Sequence, residues 1–394
     1  MCARVLSAGA ADYRRTTAPN AGSVPNKLFE WLGLARCETV AEVMARNNGA
    51  GPGFDLWRIG LSLLVILLHA HHVSYGDAPY LATGPFGPLF ASILPVFFAL
   101  SGFLVTGSAL RTQSVRVFLT FRVLRIVPAL VTEVLLAALI LGPLLTTLPL
   151  ADYLSDPRFH VYFGNIFGWV HFSLPGVFEA NPRAGMVNQN LWTLHPELIC
   201  YAVMAGLMMT GLAYRRNFLT ALWFAGTVFA LAINIKTNQF ELRGTYPGPV
   251  LVYYFLTGVV AYHWRHLIPV SKALFVAAIA FAYALLCMKN STFIVEPALV
   301  YIMIYVGMLK MPKVDFLQRG DYSYGLYLYA YPVQQTLVLM LPWTAVWWIN
   351  FPLATVISLA IAMASWHGIE KPALRLKRLV TGTPKPIASV TEPA

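Results

Sequence analysis

From Asp55 to about residue 366, apolar runs alternate with short polar breaks. About 20 residues rising 1.5 Å each cross the hydrocarbon of a bilayer as a helix, so each run predicts a membrane-crossing helix. Ten such runs are predicted, at 55–75, 87–108, 127–148, 191–212, 217–235, 248–264, 271–288, 293–310, 322–341 and 345–366. The least marked break is Lys289-Asn290-Ser291. The expected fold is all-α, a polytopic integral membrane protein of about ten transmembrane helices.

Residues 1–53 do not share the pattern. They are polar, carry Arg14, Arg15, Lys27, Arg36 and Arg46, and close on the linker-like Asn47-Asn48-Gly49-Ala50-Gly51-Pro52-Gly53. Between Pro25 and Arg46, the residues Leu28, Trp31, Leu32, Leu34, Val40, Val43 and Met44 can line one face of a short helix on the bilayer surface. Cys2 follows Met1 with no apolar stretch before it, so neither a lipoprotein signal nor a cleavable signal peptide is expected. The predicted organisation is a cytoplasmic extension and linker over 1–53, a ten-helix membrane domain over 54–370, and a basic cytoplasmic tail over 371–394.

Composition removes the soluble alternatives. Hydrophobic residues make up 58% of the chain, charged residues 11%, and the mean hydropathy is +0.62. Ordinary globular proteins carry roughly 25% charged residues, which supply the skin that water requires. The net charge of +11 would suit nucleic acid, but its distribution points elsewhere. With the N-terminus in the cytoplasm, ten spans place about 23 of the 28 Lys and Arg on the cytoplasmic side. Arg158, Arg183, Lys236, Arg243 and Lys289 fall outside. That is the positive-inside pattern, with both termini cytoplasmic and no nucleic-acid partner required. Cys2, Cys37, Cys200 and Cys287 show no metal-type spacing and are expected as free thiols, so no metal site is predicted.

Ionisable groups at membrane depth are costly unless paired or solvated, which makes each a functional candidate. Arg58 and His69 stand eleven residues apart, a rise of about 16 Å and only about 20° beyond three full helical turns. They share a face and can line one path; a snorkelling Arg58 and a His69 satisfied by a carbonyl fit the same spacing. Asp55 can pair with Arg58 from three residues away. His71 and His72 fall near the outer interface, where solvated histidines are ordinary. In Leu191-Trp192-Thr193-Leu194-His195-Pro196-Glu197, Pro196 loosens a first helical turn. Glu197 there suits steadying a histidine, binding hydroxyls, or a purely structural role. Arg111, Arg116, Arg122 and Arg125 form a basic stretch whose complement is phosphate or anionic lipid. The long outer connection, 149–190, contains Tyr153, Phe159, His160, Tyr162, Phe163, Trp169, His171, Phe172, Asn188 and Asn190. Aromatic faces and amides fit a sugar, but an interfacial aromatic belt gives the same composition and is the reading this loop alone favours.

Six motifs in order resemble the acyltransferase 3 family, bacterial integral-membrane acyltransferases that modify surface and exported glycans. They are Asp55-Leu56-Trp57-Arg58 with His69 after ten intervening residues, Phe97-Phe98-Ala99-Leu100-Ser101-Gly102-Phe103-Leu104, Arg122-Val123-Leu124-Arg125-Ile126-Val127-Pro128, Trp192-Thr193-Leu194-His195-Pro196-Glu197, Ser323-Tyr324-Gly325-Leu326-Tyr327-Leu328, and Glu370-Lys371-Pro372. The resemblance covers about 55–378. One departure stands out: many members place a histidine where this chain has Ala330, within Tyr327-Leu328-Tyr329-Ala330-Tyr331-Pro332.

The resemblance implies transfer of an acyl group, usually acetyl, from cytoplasmic acyl-coenzyme A to a hydroxyl of a glycan on the far side, with no tightly bound cofactor. The implied acceptor is a surface or exported polysaccharide, free or lipid-linked, and the implied location is a bacterial inner membrane among its lipids. His69 becomes the expected catalytic residue, as a general base or as an acyl carrier. Glu197 would orient it or the acceptor. Arg58, Arg122 and Arg125 become donor-phosphate contacts; Ser101, Trp192 and His195 would shape the site, with Ser101 as a donor to the oxyanion. Gly102 would allow close helix packing. The alternative is a polytopic transporter or flippase for a glycan or other polar solute, but no half-to-half repeat of motifs is evident.

Overall fold

A computed structural model describes residues 37–76, 84–237, 247–310 and 320–381. The described residues form helices and connections, with one isolated bridge between Thr39 and Pro269 and no strand. The chain is an all-α polytopic membrane protein. A short α1 (Val40–Arg46) precedes α2 (Phe54–Tyr75), α3 (Gly87–Thr112) and α4 (Val115–Leu136). Short α5 (Leu150–Ser155) and α6 (Pro157–Tyr162) lie in the long connection. Then follow α7 (Leu194–Met209), α8 (Arg216–Thr237), α9 (Gly248–His263), α10 (Lys272–Leu286), α11 (Glu296–Met308), α12 (Ser323–Met340) and α13 (Trp347–Ser365). Short α14 (Lys371–Arg375) and α15 (Lys377–Thr381) follow. Each of the ten predicted stretches contains a helix. By length and apolarity, six helical segments among the described residues can cross a membrane: Phe54–Tyr75, Gly87–Thr112, Val115–Leu145, Gln189–Met209, Arg216–Thr237 and Trp347–Leu379. The apolar α10 and α11 are shorter.

The segment before α2 is docked on protein. Thr39 caps α1, with reciprocal bonds between Thr39 and Glu42. Val40, Val43 and Met44 are buried, and the backbone N–H groups of Val40 and Val270 donate to Ile268 and Glu38 carbonyls at 2.9 and 2.8 Å. The apolar face anticipated for the bilayer surface is therefore buried on protein over this stretch, with the segment set against α11 and bonded to the α9–α10 connection. The remainder of that anticipated helix, 25–36, lies outside the described residues, as do Cys2, Arg243, Lys313 and Arg319.

Packing of α3 on α9 depends on two glycines. A Cβ at Gly102 would strike the Phe255 carbonyl oxygen, and one at Gly258 the Ala99 carbonyl oxygen. In lipid, where apolar burial adds little between helices, such backbone approach is a main source of helix association. Gly258→Ala is expected to cost about 1–3 kcal/mol of stability, seen as a lower thermal midpoint in detergent; an unchanged midpoint would contradict the packing role.

Polar groups of the long connection are spent inward. A π-type turn at Ala137–Leu141 prolongs α4, and the Ala138 carbonyl accepts from the buried Tyr153 hydroxyl at 2.7 Å. Asn188 donates to Glu133 at 2.8 Å and to the Leu328 carbonyl at 3.0 Å. Asn190 donates to the Tyr327 carbonyl, Asn181 to Gln335, and Gln335 to the carbonyls of Arg183 and Met186. Backbone at membrane depth needs such partners, and these amides fasten the connection to α4 and α12. Phe167 and Trp169 remain exposed.

Candidate active site

Five helices and the segment after α13 enclose a cavity of about 950 Å³. Its wall includes Arg58 of α2, Ser101 and Arg111 of α3, Arg122 and Arg125 of α4, Glu197 and Tyr201 of α7, Tyr324 and Tyr327 of α12, and Trp366, Leu374 and Lys377. One end is thus rich in cations. The other is lined by Leu94, Phe97, Thr193 and Tyr327. α4 starts at Val115, twelve residues before the predicted apolar stretch, because Arg122 and Arg125 face this cavity rather than lipid.

Arg58 is fixed across the chain. Its guanidinium donates to Asp321 Oδ2 at 2.6 Å, and Arg125 donates to the same oxygen at 2.8 Å. The expected local partner, Asp55, is exposed on α2, and the direct ion pair is with Asp321 instead. Arg125 also donates to Glu370 at 2.8 Å, and Ser323 donates to Asp321 Oδ1 at 2.7 Å. A second π-type turn, Trp366–Glu370, presents Glu370 there. Burial pushes the Asp321 carboxyl up, but the Arg58 and Arg125 guanidinium groups outweigh it and hold that carboxyl well below the usual carboxylate range.

Arg122 has a different environment. It donates to the Ser108 hydroxyl at 3.1 Å and lies over the rings of Phe118 and Tyr201, 5.6 and 5.8 Å from their centroids. Its Nε is buried without a hydrogen-bond partner. Among the described residues, no carboxylate lies within ion-pair distance of it. Glu197 accepts from the Tyr201 hydroxyl at 2.5 Å.

The structure therefore brings Arg58, Arg122, Arg125, Ser101 and Glu197 together on one cavity. His69, Trp192 and His195 do not line it. His195 is exposed, and Trp192 is half-buried against the main core. His69 is 8% exposed, with its ring edge-on to Tyr331 at 5.1 Å and 6.2 Å from that of His72. Its Nδ1 is buried without a hydrogen-bond partner. Glu197 is bonded to Tyr201 rather than to His69.

Two tyrosines relate His69 to the cavity. Tyr327 and Tyr331 are one turn of α12 apart, about 6 Å along the axis. The Tyr327 hydroxyl bonds Thr193 at 2.8 Å and Tyr331 donates to Gln189 at 3.1 Å, so both reach the turn Gln189–Thr193 that opens α7. Tyr327 lines the cavity and Tyr331 packs on His69, which places the imidazole about one turn beyond the cavity's end. Ala330, the position at which the sequence departs from the family motif it resembles, is buried in an apolar cluster with Ile66, Leu326 and Ala362. Asp321, Tyr201, Tyr327 and Lys377 were not singled out as site residues by sequence; the one signal for Asp321 is an acid two residues ahead of the Ser323-Tyr324-Gly325 motif.

These features define a helical membrane protein whose deep cavity runs from a cationic end toward a buried histidine. The chain belongs to the acyltransferase 3 family, and is an acyltransferase: the family model described as an acyltransferase domain matches residues 52–367. Nodulation protein 10 of Rhizobium leguminosarum bv. viciae is 29% identical over 361 residues, 84% of this chain and 95% of that protein. The O-acetyl transferase of Shigella phage Sf6 is 27% identical over 329 residues, 81% of this chain and 94% of its own. No solved structure matches the chain.

Proposed function

We propose that the protein transfers an acetyl group from acetyl-coenzyme A, entering from the cytoplasm, to a hydroxyl of a surface or exported glycan across a bacterial inner membrane, with both termini cytoplasmic. The observation that carries this reading is the single cavity joining the Arg58, Arg122 and Arg125 end to Thr193 and Tyr327, one helical turn short of His69. A phosphate-bearing head suits the cationic end and a narrow thioester arm suits the rest. The name of the phage relative, O-acetyl transferase, supports oxygen as the acceptor atom.

In the proposed reaction, His69 Nδ1 takes the proton of the acceptor hydroxyl. The oxygen then attacks the thioester carbonyl, and Ser101 donates to the resulting oxyanion. Collapse breaks the C–S bond, giving the O-acetyl ester and a thiolate that recovers the proton as free coenzyme A. Glu197, held by Tyr201, sets the polarity of the wall along which the arm lies. The test compares the acetyl content of surface glycans in cells with and without the protein. Loss of one O-acetyl substituent in its absence is expected and identifies the acceptor; identical glycans would contradict the proposal.

A further inference from the structure

Two rings stand between the end of the cavity and the buried imidazole. Along α3, Leu94, Phe97, Ser101, Leu104, Ser108 and Arg111 line the cavity at steps of three or four residues, so one helix face follows it for about 25 Å. Ser101 lies one turn from Phe97 on the cationic side. On α12, Tyr324 lies by Arg125, Tyr327 closes the cavity, and Tyr331 packs on His69. The Phe97 and Tyr327 rings therefore separate Ser101, the proposed oxyanion donor, from His69. Tyr327 is held at ring and backbone: its hydroxyl bonds Thr193 at 2.8 Å and the Asn190 carbonyl at 3.3 Å, and its own carbonyl accepts from Asn190 at 2.5 Å. Phe97 is half-buried, with its ring centroid 6.1 Å from that of Tyr327. An atom passing between two rings needs about 3.5–4 Å to each, so the rings must stand about 7–8 Å apart to admit it. At the observed separation the pair is closed. Beyond it, Tyr331 packs with Val73 and Val338, so the surroundings of His69 are apolar.

Closure matters because a thioester has two candidate acceptors. An imidazole that takes a proton from a glycan hydroxyl can take one from water as well, and water is always at hand. Transfer wins only where water is excluded. We infer that Phe97 and Tyr327 set the selectivity of the reaction for a glycan hydroxyl over water: they close the passage between the donor cavity and His69 until Phe97 yields to the arriving thioester, whose bulk then fills the opening. This rests on the acyl-coenzyme A reading and on the role given to His69 above. Where the pair is breached, water gives a proton to His69 Nδ1, its oxygen bonds to the thioester carbon and the C–S bond breaks. The products are acetic acid and coenzyme A, whose sulfur takes the proton back from His69.

Purified full-length protein in nanodiscs, given acetyl-coenzyme A and no glycan, tests this through the free thiol released. Wild type should release it slowly. Phe97→Ala should release it about 10²-fold faster, the lower end of what a positioned base gives once water reaches it, while binding coenzyme A as wild type does. Phe97→Leu should show a smaller rise, and Phe97→Ala combined with His69→Ala should return to the wild-type rate. Misfolding lowers rates, so a gain of hydrolysis separates the barrier from a merely structural role. Should the alanine variant fail to bind coenzyme A, the leucine variant decides. Wild-type release by variants that still bind coenzyme A overturns the inference, as does a rise that persists without His69; the acyl-coenzyme A reading then stands. A wild type that does not bind acetyl-coenzyme A overturns that reading, and this inference with it.

Discussion

Replacing His69 with alanine is expected to lower acyl transfer by about 10²–10⁴-fold, the usual worth of a positioned proton acceptor. The amount of protein in the membrane and its affinity for acetyl-coenzyme A should be unchanged. The second half of this expectation comes from the structure: His69 packs on Tyr331 and does not line the cavity, so the donor's binding wall stays intact without it. Loss of an edge-on ring contact is worth about 0.5–1.5 kcal/mol, too little to unfold the protein. Transfer by the variant is read from acetyl incorporated into glycan, and binding from displacement of labelled donor. Normal acylation in the variant would remove His69 from the chemistry.

A comparable loss, by a different route, is expected for Asp321→Asn. The variant leaves Arg58 and Arg125 facing each other with only Glu370 to compensate them. Removing one partner of a buried ion pair costs about 3–5 kcal/mol; with 29% of the Asp321 side chain exposed, about 2–3 kcal/mol is expected here. A lower thermal midpoint and a collapse of transfer with any donor should appear together. Adding Arg58→Gln should recover part of the stability but not the activity, because it removes the stranded cation. The pH dependence follows from the same ion pair. Asp321 is held below its ordinary carboxyl value, so its stabilisation is fully present above the usual carboxylate range and is lost as pH falls below it. The Asn variant should lack that acid-sensitive component. Matching midpoints in wild type and variant at neutral pH would show the cluster to be energetically idle.

The helices were legible because lipid demands apolar surface over a fixed length, and hydropathy records that demand directly. Where a helix turns a polar face to a cavity the signal fades: Arg116, Arg122 and Arg125 hid the first three turns of α4, although Ser114 caps it with its hydroxyl on the Val117 N–H. The site was half legible. Arg58, Ser101, Arg122, Arg125 and Glu197 stand in local motifs and converge on one cavity. Their partners do not stand in those motifs, since Asp321 lies 263 residues from Arg58 and pairs with it only through the contact of α12 with α2. Spacing along one helix made Asp55 the natural partner, and no local rule could choose between it and an acid brought in by the fold. The amides of the long connection were not decided by composition, which fits a sugar or an interfacial belt; burial assigns Asn188 and Asn190 to hydrogen bonds with α4 and α12.

The central claim is that one cavity passes an acyl group from a donor on one side of the membrane to an acceptor on the other. Sealed vesicles containing the oriented protein, loaded with the acceptor glycan and supplied with labelled acetyl-coenzyme A outside, test it most directly. The account predicts labelled O-acetyl glycan inside the vesicles, with coenzyme A released outside in equal amount and neither product formed by the His69→Ala variant. Label that appears only when donor and acceptor share a compartment would contradict it.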